Sequence, residues 1–288
     1  MTATLDNTIP WTEHFSEYGF AVLRDLVDRD YCDDALAEVR RLTDNDLPLH
    51  EWTTENTKLL HRPFYEGSTA PEPVLERIFE QPRLRDAVEA LYGGPGHWNE
   101  ARNFYIFLRP YNPTGSQKLA PRGHIDFGNQ PVPILYRGFT FQIALNDTEP
   151  FSGNLTIYPG THKLVQKKLI DHPQQQYQSG NADVPMPEPF EFVAQAGDVL
   201  FMHHLVCHAG NDSHAANHSP RVALHCETFR DEWLRAIDPS RTDLSPWERS
   251  LAHNGYFEEL AEVEEYQMTK RNEYLAQLRG ENAPAPMM

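Results

Sequence analysis

Between about residues 103 and 230 the chain consists of short runs of β-branched and aromatic residues separated by Pro, Gly and Asn clusters. Runs that short can hide an apolar face only by pairing side to side, so the pattern calls for an antiparallel all-β core. It predicts strands over 103–109, 138–145, 154–158, 190–194, 198–207 and 221–229. Within 138–145, Phe139, Phe141, Ile143 and Leu145 alternate with Thr140, Gln142 and Ala144. Successive side chains of a strand point to opposite faces, so the first set should pack beneath the sheet and the second should line a cavity. The connections 110–123 and 161–189 are long for a compact domain, as lids and mobile loops often are.

Helical patterns flank this core. Cys32, Ala35, Leu36, Val39 and Leu42 recur at helical spacing, with Asp28 placed as an N-cap. Val74, Leu75, Ile78 and Phe79 start a second pattern that resumes after Pro82 as Leu84, Val88 and Leu91, and Gly93-Gly94-Pro95-Gly96 ends it. After 243, Ser245-Pro246-Trp247-Glu248 reads as a capping box with Pro at the first helical position, and 257–278 is charged and helical before a frayed tail. The chain therefore reads as one domain over 1–288, with a helical N-terminal region at about 13–97, the β core at 103–230 and C-terminal helices at 243–280. A chain of this length buries about 75% of its unfolded surface, so the core needs no staple.

The formal charge of −17, from 42 Asp and Glu against 25 Lys and Arg, and the lack of any basic run argue against nucleic acid and anionic membranes as partners. Three cysteines, Cys32, Cys207 and Cys226, are too few for a disulfide framework and fit a reducing compartment. The opening MTATLDNTIP carries neither a basic stretch nor an apolar run, and no segment has the ~18 consecutive apolar residues of a membrane span. The expectation is a soluble cytoplasmic protein, and the acidity itself names no substrate.

Chemistry concentrates in two segments. In Gly123-His124-Ile125-Asp126 an extended backbone turns the imidazole of His124 and the carboxylate of Asp126 to one side, where both can reach one metal ion. Alone, such a pair is equally a chance feature of a polar loop. The second segment, Gly197 to His208, is an apolar strand ending in histidine. Two imidazoles and one carboxylate make the facial triad of non-haem iron(II) oxygenases, which leaves coordination positions for co-substrate and O₂. Arg221, thirteen residues beyond His208 on the next predicted strand, can clamp a carboxylate through two parallel hydrogen bonds. His203 and His204 compete with His208. Alternation along a single strand puts His204 on the face of His208 and His203 on the opposite, packed face. His214, His218 and His225 have no motif behind them and read as surface or supporting residues, while Cys207 reads as a small buried hydrophobe.

With these parts in order, the chain resembles the phytanoyl-CoA dioxygenase-like family of iron(II)/2-oxoglutarate-dependent oxygenases. The likeness runs over about 13–230. It begins at Tyr18-Gly19-Phe20-Ala21-Val22-Leu23-Arg24-Asp25, passes His124-Ile125-Asp126 and Ala144-Leu145-Asn146-Asp147, and takes in Ser152 to Lys163. It closes with Gly197 to His208 and Arg221. The resemblance implies a mainly β fold with flanking helices, a double-stranded β-helix (jelly roll, cupin-like) holding iron at its open end. It implies His124, Asp126 and His208 as ligands, with His208 preferred to His204 because the family's ligand ends its strand. Arg221 would pair with the distal carboxylate of 2-oxoglutarate, with Gln142 and Tyr105 facing the same co-substrate. A surface glutamine and a packing tyrosine are the plainer alternatives for those two. Thr156 and Tyr158, before the Pro159-Gly160-Thr161 turn, read as structural. One departure is the His208 to Arg221 spacing of thirteen, where the family has about eleven, which places an insertion within 211–219.

The implied activity is a dioxygenase that uses Fe(II), 2-oxoglutarate and O₂ to oxidise a C–H bond of a small molecule and releases succinate and CO₂. The outcome would be hydroxylation, or desaturation, epoxidation or cyclisation in a biosynthetic pathway. Two other readings stand beside it: a jelly-roll metalloenzyme that does not use 2-oxoglutarate, and a non-catalytic binding protein on the same fold. Arg221 argues for the first reading over the second, and an intact triad argues against the third. Substrate selection is expected in 110–123, 127–137 and 161–189, loops whose sequence is loosely constrained.

Overall fold

A computed structural model of the chain describes residues 9–58, 63–65, 72–98, 103–125, 137–171, 183–229, 240–252 and 269. In chain order the elements are α1 (Trp11–Tyr18), β1 (Phe20–Leu23), α2 (Arg29–Thr43), β2 (Pro63–Tyr65), α3 (Pro73–Glu76), α4 (Pro82–Tyr92), β3 (Asn103–Arg109) and β4 (Arg137–Ala144). They continue as β5 (Leu155–Ile157), α5 (Thr161–Asp171), β6 (Phe190–Glu191), β7 (Val199–His203), β8 (His208–Gly210), β9 (Arg221–Phe229) and α6 (Pro246–Leu251). A six-stranded sheet has the order β1-β7-β4-β9-β3-β2 and a three-stranded sheet the order β6-β5-β8. Every described pairing within them is antiparallel.

Alternation sorts the large sheet into two working faces. Phe139, Phe141 and Ile143 of β4, with Phe104 and Ile106 of β3 and Val222 and Leu224 of β9, join a core with Phe15 of α1, Val39 of α2, Leu91 of α4 and Trp247 of α6. On the other face Phe20, Ala144, Leu200 and Met202 meet Leu155, Ile157 and Phe190 of the small sheet. Burying a large apolar side chain contributes about 1.5–3 kcal/mol, so the helix-covered face supplies most of the stability. That leaves the sandwich face free to carry polar residues.

The predicted strands 103–109 and 221–229 coincide with β3 and β9, and those at 138–145 and 154–158 lie within a residue or so of β4 and β5. The predicted strand 198–207 is corrected. Apolar residues flank His203 and His204 with no turn residue between them, but β7 stops at His203, where the Val206 N–H donates to the His203 carbonyl at 2.9 Å and turns the chain. The segment then crosses to the small sheet as β8. The connection 161–189 likewise opens with α5, whose Val165 and Gln166 are buried. Of 190–194, only 190–191 pairs as strand. Asp28 stands at the N-cap of α2 without a side-chain capping bond, whereas Ser245 and Glu248 form the expected reciprocal box. The charged stretch 257–278 lies outside the described residues.

Candidate active site

The site begins with one non-local pairing. His124 N–H donates to the His208 carbonyl at 2.8 Å and His208 N–H returns the bond at 2.9 Å, an antiparallel bridge between residue 124, outside the named strands, and the first residue of β8. Residues paired in this way project their side chains to the same side, and the two imidazole centroids lie 4.6 Å apart. Gly123 permits the approach. A Cβ there would sit 2.8 Å from the His208 nitrogen and 2.7 Å from the Tyr158 ring. Ile125 turns the other way, into a small cluster with Tyr158, Val165, Leu205 and Cys207.

His208 is buried, and its Nδ1 lies 3.1 Å from the Val206 carbonyl. A carbonyl can only accept, so Nδ1 carries the proton and Nε2 presents its lone pair, the tautomer a metal ligand needs. His124 is exposed. Asp126, expected on the side of His124, lies outside the described residues. Among the described residues no three His, Cys, Asp or Glu side chains gather as a metal-ligating group.

The competing histidines are placed elsewhere. His204 sits on the turn after β7, its Nδ1 2.8 Å from the Gly138 carbonyl and its ring stacked on His203 at 4.5 Å. Its expected position on one strand face with His208 is therefore corrected, because that strand is broken between them. His203 accepts the Leu205 N–H at 3.0 Å and packs near Phe15 and His162. Cys207 is buried, and burial pushes its thiol up to about 11, so it is a neutral hydrophobe. Tyr158 donates its hydroxyl to the Ala120 carbonyl, and Thr156 accepts from Asn211 at 2.5 Å, so both hold loops in place.

Alternation on β3, β4 and β9 brings the polar residues to one face. His225 is paired with Tyr105 on one side and Gln142 on the other. Tyr105 is half-buried, while Gln142, His225 and Arg221 are buried. Arg221 donates from Nη1 to Gln142 Oε1 at 3.2 Å, and its buried Nε has no partner among the described residues. Burial, followed by the neighbouring Arg109, pushes the guanidinium down to about 9, leaving it charged at neutral pH. An unsatisfied buried donor on a cation costs stability until an anion meets it.

Two residues of this face were missed in the sequence. His225 was read as surface or supporting, although counting 221, 223, 225 along β9 would have placed it on the cavity side. The same count along β3, 105, 107, 109, would have put Arg109 on the face of Tyr105, but its place directly opposite Arg221 is a cross-strand register that neither strand's own pattern carries. Between β8 and β9 runs the connection 211–220, where the Tyr111 ring lies 5.5 Å from His214 and 4.0 Å from His218.

This sandwich with covering helices is similar in fold to several solved structures. The epimerase SnoN, solved with Fe3+, alpha ketoglutarate and nogalamycin RO, superposes with a TM-score of 0.53 at 21% identity, over 76% of this chain and 82% of that one. AviO1 from Streptomyces viridochromogenes gives 0.53 at 19% identity over 81% and 99% of the two chains. The non-heme monooxygenase ThoJ gives 0.52 at 16% identity over 93% and 100%. The chain belongs to the phytanoyl-CoA dioxygenase family, whose model matches residues 15–222. No curated protein matches it in sequence. Among the described residues no helix is long and apolar enough to cross a membrane.

Proposed function

We propose that the protein is an iron(II)- and 2-oxoglutarate-dependent dioxygenase that oxidises a C–H bond of a small molecule, and that its two sheets are the jelly roll of its family. His124, Asp126 and His208 would hold the metal, and Arg221 the distal carboxylate of 2-oxoglutarate beside Gln142 and Tyr105. One observation carries the reading: a buried guanidinium with an unmet Nε lies within the same sandwich as two facing imidazoles. The donor set fits iron(II), since two neutral nitrogens and one carboxylate leave positions open. The unmet Nε fits a carboxylate.

Iron bound with 2-oxoglutarate and O₂ supplies the oxidising power, coupling conversion of the keto acid to succinate and CO₂ with oxidation of the substrate. The chain's own contribution is placement. Val206 fixes the His208 tautomer, Gln142 orients the Arg221 guanidinium, and the apolar helix-side core keeps β3, β4 and β9 rigid behind them. Because Asp126 would supply a third protein ligand, the product should be oxygenated, desaturated, epoxidised or cyclised and its halogen content unchanged. The whole chain would act as one cytoplasmic domain.

Anaerobic addition of iron(II) and 2-oxoglutarate should produce a weak visible charge-transfer band. If the unmodified protein binds iron but develops no band with the keto acid, it is a metalloenzyme of another kind. If it binds neither, the reading as an oxygenase is lost.

A further inference from the structure

Arg109 and Arg221 are cross-strand neighbours whose side chains share the sandwich face of the large sheet. Like charges placed directly opposite each other destabilise a sheet, and here one of the two is buried. Among the described residues neither guanidinium has a carboxylate partner, and the Arg109 side chain makes no hydrogen bond or ion pair, in a chain whose overall charge is −17. Both converge on one spot. A Cβ built on Gly210 would lie 3.7 Å from Arg109 Nη2 and 3.9 Å from Arg221 Nη2. Gly210 follows His208 by two residues on β8, and alternate residues of a strand share a face. The two guanidiniums therefore lie beside a residue about 6.6 Å, two residue steps, along the β8 backbone from His208. A second glycine lets Arg109 in: Gly153 adopts φ +76, and a Cβ there would sit 2.9 Å from the Arg109 Cβ.

Resting on the oxygenase reading for its metal end, we propose that Arg109 and Arg221 form a two-guanidinium site for the distal carboxylate of the keto acid, in which Arg109 is the specificity-determining residue for a diacid. Arg221 forms the buried wall and Arg109 closes from the solvent side, so a carboxylate between them relieves the repulsion as it binds. A 2-oxo acid of similar length with no distal carboxylate leaves that repulsion in place. Rejection of such monoacids then comes from the repulsion as much as from any lost hydrogen bond.

The test uses the full chain and anaerobic calorimetry. With iron(II) present, the affinity ratio between 2-oxoglutarate and 2-oxovalerate is measured. With metal omitted, glutarate serves as a probe of the anion site alone. In Arg109→Gln the ratio should fall about tenfold or more and glutarate binding should weaken by a similar factor, with Arg109→Lys recovering part of both. Arg221→Gln should lose glutarate altogether. Wild-type ratios in Arg109→Gln, alongside lost binding in Arg221→Gln, would overturn the proposal and leave the oxygenase reading standing. An equal loss of diacid and monoacid would also overturn it, by showing only long-range attraction. If the protein fails to bind iron yet glutarate binding still depends on Arg109, the two-arginine site holds and the oxygenase reading fails. No diacid binding to the unmodified protein overturns both.

Discussion

For the proposed metal site the choice between His208 and His204 turns on position, since each spends Nδ1 on a backbone carbonyl. His208 spends Nδ1 on a backbone carbonyl and is held against His124, whereas His204 spends its Nδ1 on Gly138 from the far side of a turn. Replacing His208 by Ala should therefore abolish the anaerobic iron and 2-oxoglutarate absorption band, and replacing His204 by Ala should keep it while lowering stability. A band that survives in the first variant and vanishes in the second would reverse the assignment. Arg221 is the other residue on which the proposed site depends. Each hydrogen bond to a charged group contributes about 1.5–3 kcal/mol, so Arg221→Ala should weaken 2-oxoglutarate at least tenfold while iron affinity hardly moves. Its guanidinium is lowered to about 9, mainly by burial and further by Arg109. The folded protein then gives up this proton at lower pH than the unfolded chain does. This group's contribution thus disfavours the empty fold up to about pH 9 and relaxes above it, and diacid affinity should be flat near neutrality and fall as pH passes about 9. Calorimetry over that range reads both limits.

At the scale of elements, two short connections do more than their length suggests. Asp198, buried at the turn into β7, accepts from Arg24 at 2.5 Å and from the N–H groups of Asp25 and Gln195 at 2.9 and 2.8 Å, tying β1 to β7. Asp198→Ala leaves those donors without their acceptor, so urea unfolding should show a loss of about 2–3 kcal/mol. Gly123→Ala acts differently. Its Cβ would collide with the His208 nitrogen, so the segment 123–125 must lift away from β8 while the rest of the fold stays. Metal affinity should drop with little change in the far-ultraviolet circular dichroism spectrum, and an unchanged metal affinity would mean the bridge is not what aligns the ligands. These elements were unevenly legible. β3, β4 and β9 were readable because one face of each is apolar and the other polar. The β7–β8 break was hidden because no Gly, Pro or Asn marks it and apolar residues stand on both sides of His203 and His204, and α5 was missed because its polar exposed face masks the few buried positions.

For the molecule as a whole, one helix-covered face provides stability while the opposite face carries two guanidiniums and several buried polar groups that work against it. Ligand binding should therefore appear as stability. Saturating the iron-loaded protein with 2-oxoglutarate at a hundred times its dissociation constant should add about 2.7 kcal/mol, visible as a rise in Tm by scanning calorimetry. In Arg221→Ala at the same concentration most of that increment should vanish. A wild-type Tm indifferent to the keto acid would mean that the sandwich face is not its binding site.

By itself the sequence determined which face of each long strand is apolar, where the helix-forming ends lie, and that His124, Asp126, His208 and Arg221 are the candidates for metal and co-substrate, since side-chain alternation and spacing are local properties. Only the tertiary structure decided that His124 meets His208 across a bridge, that β8 leaves the large sheet, and that Arg109 stands opposite Arg221 with His225 between Tyr105 and Gln142. Those facts are registers between segments far apart in the chain. Register is set by how whole strands pair over a shared core, and no single segment carries it.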